Sequence, residues 1–152
     1  MPSDCVLCAQ DGGLVVWRSA GCRVVLPHEA DYPGFVRVIA NQHAGEMTDL
    51  PPAVRDHIMA VVWACEAVLR EVMEPTKVNL ASLGNMVAHV HWHIIARFTD
   101  DRHFPNPIWG APARQTCPTD HIRRQTRAGT LPVSLALALD RQFPTIKPLA
   151  AP

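Results

Sequence analysis

His89-Val90-His91-Trp92-His93-Ile94-Ile95 is the stretch on which the fold and the chemistry of this chain turn. In an extended strand the side chains at i, i+2 and i+4 share a face. The three histidines therefore stand on one surface, roughly 6.5–7 Å from one to the next, while Val90, Trp92 and Ile94 enter the opposite one. One histidine on a half-buried strand is ordinary, whereas three in strict alternation break the usual patterning in the way functional sites do. A neutral imidazole is a competent nucleophile near pH 7 and also a general acid or base, so a row of them can divide those roles without a metal. Metal ligation is the rival reading. His-x-His pairs hold zinc in hydrolases, usually with a carboxylate or a third histidine and one position open for water. No acidic residue is interleaved here, which favours nucleophilic catalysis.

Outward from that stretch the chain reads as an α+β domain. Val90 to Phe98 and Lys77-Val78-Asn79-Leu80-Ala81 are two strands, the second leaving through Ser82-Leu83-Gly84-Asn85. Leu14 to Trp17 and Arg23 to Leu26 form a hairpin-like pair across Ser19-Ala20-Gly21, and Phe35-Val36-Arg37-Val38-Ile39 follows the turn residues Tyr32-Pro33-Gly34. Between these strands Val54, Ile58, Val61, Val62, Cys65, Val68, Leu69 and Val72 recur at three- and four-residue spacing, which predicts one long helix over 54–73. Asp49 is read as its cap, Pro51 and Pro52 are tolerable in a first turn, and Pro75 stops it. The expectation is an antiparallel sheet of about five strands with one long helix.

Eight of the fourteen prolines lie at or after Pro105, so composition shifts once the histidine stretch has passed. Residues 1–110 read as the catalytic domain and 111–152 as a C-terminal extension, partly helical or irregular. Within the extension Thr130-Leu131-Pro132 offers a helix start running to Asp140, but the apolar residues there alternate instead of following a helical period. His28, His57 and His121 read as surface residues. His103-Phe104-Pro105 and Trp109 read either as a flap over the site or as a packed tail.

Composition narrows the function. The 152 residues are 48% hydrophobic and 18% charged, inside the range of folded domains. Fourteen basic residues balance fourteen acidic ones, leaving no net field to hold DNA or RNA, so nucleic acid is not the expected partner. No apolar run approaches a membrane span and Met1-Pro2-Ser3-Asp4-Cys5 does not resemble an export signal, so the expectation is no membrane and a cytoplasmic location. Five cysteines, an odd number, argue for reduced thiols or a metal site, with Cys22 and Cys65 as core thiols. Cys5-Val6-Leu7-Cys8 can present two thiolates to one tetrahedral zinc.

The segment from His89 to Ile95, closed by Ala96-Arg97, resembles the signature of the histidine triad (HIT) family. The likeness extends to Asn41-Gln42-His43, Thr48-Asp49-Leu50 and the turn Gly84-Asn85-Met86-Val87-Ala88, and it spans roughly Cys5 to Phe98. Asp101 to Trp109 resembles the extension of a bacterial subgroup. The resemblance implies a HIT-like fold that dimerises through its helix and sheet. It also implies a reaction at the α-phosphate of a nucleotide, as in bacterial dinucleoside polyphosphate hydrolases, or on nucleoside phosphoramidates and adenylyl conjugates. His91 would be the nucleophile and His93 the group at the leaving oxygen, with no cofactor needed for catalysis. Asn79, Gly84, Asn85 and His89 would contact substrate. Cys5, Cys8, His43 and His89 would complete a structural zinc site. Two departures stand out: Asn85 replaces a usual glutamine, and Met86 replaces a residue that often carries a hydroxyl. They motivate a further alternative, a nucleotide-binding module with weak turnover.

Overall fold

The computed structural model describes residues 4–144. Its strands are β1 (Leu14–Arg18), β2 (Cys22–Leu26), β3 (Phe35–Ala40), β4 (Lys77–Ala81) and β5 (His91–Arg97). They form one antiparallel sheet in the order β1-β2-β3-β5-β4. The α+β architecture and the five-stranded antiparallel sheet expected from the sequence are present.

Register decides which face each residue joins. Val24 pairs with Val38 and Val38 with Trp92, while Val36 and Leu80 both pair with Ile94, so this valine- and isoleucine-rich face is continuous across four strands. Helix α2 (Pro52–Met73) lies on it and contributes Ile58, Val61, Val62, Cys65 and Leu69, none of which retains exposed surface. Each such side chain stabilises the fold by roughly 1.5–3 kcal/mol relative to full exposure. Cys22 and Cys65 are both fully buried, as a core reading requires. Past Met73, Glu74 takes a left-handed conformation (φ 47°) and Pro75 prevents continuation.

The opposite face carries Arg23, Val25, Arg37, Ile39, His91, His93 and Ile95 by the same pairing. Two caps cover its ends. The short helix α1 (Val6–Ala9) lays Leu7 against Val25 and Ile39, and Tyr32 with Ile108 closes over Phe35 and Ile95. The gap between the caps falls over His91 and His93.

One expectation changes. Asp49 does not cap α2: its carboxylate accepts the Glu46 backbone N–H and closes a capping box around the 3-10 turn Met47–Asp49. Pro51 and Pro52 then let α2 start without a side-chain cap. The C-terminal extension, read as partly helical or irregular, carries α3 (Pro118–Ala128) and α4 (Leu131–Gln142), and residues 145–152 of it lie outside the described residues. Leu131, Leu135 and Leu139 of α4 are fully buried in the core shared with α2 and the sheet, and Asp140 accepts the Trp17 indole N–H at 3.0 Å. No helix among the described residues is long and apolar enough to cross a membrane.

Candidate active site and metal-ligand cluster

The triad does not present three equivalent rings. β5 begins at His91, and His89 sits on the approach to it, where its N–H bonds the Val87 carbonyl, so strand alternation does not reach back that far. His91 and His93 line the open hollow, and His89 is turned beneath it, 1% exposed.

His91 is held by its own strand entry. Its Nδ1–H donates to the His89 carbonyl at 2.6 Å, which leaves Nε2 as the lone-pair nitrogen of the neutral ring. The His93 ring packs edge-on to it, with centroids 4.8 Å apart, and Nδ1 of His93 is buried without a partner. Burial, the neighbouring His91 and the Arg37 cation together push His93 down to about 3. Burial first, then Arg37, also holds His91 below the ordinary histidine range, although its bond to the His89 carbonyl works the other way. Both rings are neutral at pH 7, the form in which an imidazole nitrogen can attack.

The hollow has a volume of about 550 Å³, within the range of small-molecule sites. Val6, Leu7 and Gly12 line it from the N-terminal segment, and Leu83, Gly84, Asn85, Met86 and Val87 form a rim from the segment between β4 and β5. Gly84 turns that rim at φ 73°, a left-handed conformation that side chains disfavour. Met86 is 96% exposed and brings no hydroxyl to the rim. Trp109 closes the far end with its ring 5.0 Å from that of His93.

Trp109 is placed there by a buried hub. The Asp101 carboxylate binds the Arg97 guanidinium at 2.7 and 3.1 Å and also accepts backbone N–H groups from Phe98, His103 and Phe104. These donors hold its pKa below the usual carboxylate range against the opposing effect of burial. His103 packs inward with its Nδ1 2.6 Å from the Tyr32 hydroxyl. The segment after Phe98 is therefore a tail at His103 and a flap at Trp109. Asn79 Oδ1 accepts from Arg97 Nη1 at 2.6 Å, and Asn79 lines an adjoining hollow with Pro107, Ile108 and Trp109; it is not on the wall of the triad hollow.

Arg37 also lines the hollow, although by its sequence it reads only as part of a strand. A lone charge inside the apolar run Phe35–Ile39 of a central strand was the available signal.

Behind the hollow, Cys5, Cys8, His43 and His89 point one ligand atom each at a common centre, all within 4.8 Å of one another. Sγ of Cys5 and of Cys8 stand 3.4 and 3.5 Å from His89 Nδ1, Cys8 Sγ is 3.4 Å from His43 Nδ1, and the two Nδ1 atoms are 3.3 Å apart. A zinc tetrahedron with bonds of about 2.3 Å to sulfur and about 2.0–2.1 Å to nitrogen has edges of about 3.5 Å (S···N) and about 3.3 Å (N···N). The donor set fits that ion in kind and in spacing. His89 Nε2 donates to the Ala40 carbonyl at 2.8 Å, which leaves Nδ1 as the ligating nitrogen. Arg23 braces the cysteine turn from behind through the carbonyls of Leu7, Gln10 and Asp11.

Residues 10–100 match the HIT domain family. Among solved structures, a histidine triad protein from Bradyrhizobium japonicum is similar at 25% identity and TM-score 0.67, over 82% of this chain and 92% of that one. One from Marinobacter aquaeolei is similar in fold at 23% identity and TM-score 0.67, over 86% and 91%. A zinc-bound histidine triad family protein from Mycobacterium smegmatis is similar in fold at 21% identity and TM-score 0.60, over 91% and 97%. No curated protein matches the chain.

Proposed function

Because this chain belongs to the HIT domain family, we propose that it is a nucleotide hydrolase or transferase in which His91 attacks the α-phosphate of a dinucleoside polyphosphate or related nucleotidyl compound. The family acts on phosphoanhydride and phosphoramidate bonds of nucleotides. The observation that carries the reading is the 2.6 Å bond from His91 Nδ1 to the His89 carbonyl, which reserves the other ring nitrogen for substrate in a 550 Å³ hollow.

In this scheme Nε2 of His91 forms a bond to phosphorus as the bond from phosphorus to the leaving oxygen breaks. His93 hydrogen-bonds that oxygen and helps protonate it; the bound phosphates raise its affinity for a proton above that of the empty site. Water then attacks phosphorus and passes a proton to His93, replacing the one given to the leaving oxygen, while the P–N bond breaks with its electron pair returning to Nε2 and His91 is restored. Splitting one displacement into two is what a covalent nucleophile contributes. Backbone N–H groups at Gly84 and the Asn85 amide serve the phosphoryl oxygens; Asn79, which lines the adjoining hollow and not this one, would reach only a part of the leaving group that extends past Trp109. His89 serves the reaction through its carbonyl, since its ring faces the cysteine cluster and Ala40.

We propose that Cys5, Cys8, His43 and His89 hold a zinc ion, a reading supported by their spacing and by the zinc-bound relative. Zinc with four protein ligands is structural: it ties the N-terminal turn to the entry of β5, and His91 and His93 are not among its ligands. A homodimer through α2 and the sheet is also proposed. β4 is an edge strand, and Trp63 on α2 and Leu80 on β4 are 59% and 37% exposed.

A second reading, a nucleotide-binding module with weak turnover, is favoured by the missing hydroxyl at Met86. Assay of wild type and His91→Ala with diadenosine tetraphosphate and with adenosine phosphoramidate tests both. Turnover of at least one substrate, falling by roughly three or more orders of magnitude in the variant, is expected. Tight binding with no product from either leaves the binding module. A chelator separates a zinc-water mechanism, which loses activity at once, from His91 chemistry, which persists while the fold survives.

A further inference from the structure

Several arginines are buried in this fold, and most are held by ion pairs or carbonyl groups. Arg23 donates to the carbonyls of Leu7, Gln10, Asp11 and Ala40. Arg97 is bound by Asp101, Asn79 and Asn106, and Arg124 is paired with Asp100, although its Nε too is buried without a partner. Arg37 differs. Of its five N–H donors, Nη1 makes one long contact, 3.5 Å to the Gly12 carbonyl, and Nε is sealed from solvent with no partner. No ion pair among the described residues involves it.

A half-buried guanidinium with one long hydrogen bond, a Phe35 ring face 5.6 Å away and no ion pair is costly unless an anion completes it. The position says which anion. The β3–β5 register sets Arg37 directly across from His93, whereas Ile39 stands across from His91, and opposed residues on one face have Cβ atoms about 4.5–5.5 Å apart. Arg37 lines the triad hollow beside the ring at the leaving oxygen, and an apolar side chain flanks the nucleophile.

Resting on the nucleotide reading above, we propose that Arg37 is a binding and specificity-determining residue that clamps the phosphate of the departing group. The substrates it selects are nucleotidyl anhydrides whose leaving group departs as a phosphate or polyphosphate anion, in preference to phosphoramidates whose leaving group departs as a neutral amine. As the P–O bond to the leaving oxygen breaks, the electron pair stays on that oxygen. A planar two-pronged donor meets the resulting phosphate charge with two parallel hydrogen bonds. An amine takes up a proton and leaves no such charge.

The test compares wild type with Arg37→Met, which keeps an apolar stem against Phe35, and with Arg37→Lys, which keeps the charge without the fork. For each, kcat/KM is measured on diadenosine tetraphosphate and on adenosine phosphoramidate, and the affinity for inorganic tripolyphosphate is measured by calorimetry. The tetraphosphate-to-phosphoramidate ratio is expected to fall about 10- to 100-fold in Arg37→Met, the effect of losing charge-assisted hydrogen bonds, and by less in Arg37→Lys. Tripolyphosphate affinity is expected to fall with it. An unchanged ratio, or tripolyphosphate binding that ignores the substitution, overturns the inference while the catalytic reading stands. A wild type that turns over neither nucleotide overturns that reading and this inference with it.

Discussion

His93 is neutral in the folded chain because burial, His91 and Arg37 all oppose its charging, to a pKa of about 3. An unfolded chain protonates the same ring near pH 6.5. With the folded-state pKa depressed, the stabilising contribution is complete above about pH 6.5 and is lost progressively as pH falls toward 3. Melting temperature measured from about pH 7.5 down to about pH 4.5 is expected to fall less in His93→Phe than in wild type; equal falls contradict the assignment. At this scale the sequence was legible where a residue type repeats and obscure where its partner is distant. Alternation gave His91 and His93 a common face, but His89 left that face because β5 starts two residues later. Asp101, inside the charged run Asp100-Asp101-Arg102, reads as solvated loop, yet is 3% exposed because Arg97 awaits it. Replacing Asp101 with Asn strands the Arg97 cation in the interior. A loss of roughly 3–5 kcal/mol in urea unfolding is expected; a loss under about 1 kcal/mol counts against the hub.

Among the elements, α2 was readable because its apolar stripe keeps three- and four-residue spacing, and β1 to β5 because alternation and turn residues bound them. α4 was masked by its own composition. Leu131, Leu135 and Leu139 are buried at intervals of four, but Val133 and Leu137, 63% and 61% exposed, fill the positions between them. Every second residue is then apolar, a strand-like signature. α3 carried no apolar stripe to find, since its buried residue is Arg124, stacked 4.0 Å over the Phe98 ring. These assignments predict a contrast within one helix. Leu135→Ala is expected to cost about 2–5 kcal/mol and Leu137→Ala less than about 0.5 kcal/mol, measured by chemical denaturation. Similar costs for both would mean that α4 does not pack as described.

Over the whole molecule, one sheet separates two tasks. Its α2 face supplies the core, and its other face, capped at both ends, leaves a hollow whose floor is β5. The four-residue cluster fastens the N-terminal cap to that floor, so metal removal is expected to act on the fold before it acts on the chemistry. Elemental analysis should find one zinc per chain, lost in Cys8→Ser, and chelation should lower the melting temperature. Zinc content unaffected by Cys8→Ser rules the cluster out. The measurement that tests the central claim most directly is acid-sensitive trapping: mix enzyme with a dinucleoside tetraphosphate, quench under basic conditions within one turnover, and locate the adduct by peptide mass. One nucleoside monophosphate on His91, released by mild acid and absent from His91→Ala, is the predicted result. Turnover that proceeds with no adduct, or with the nucleotide on another residue, contradicts it.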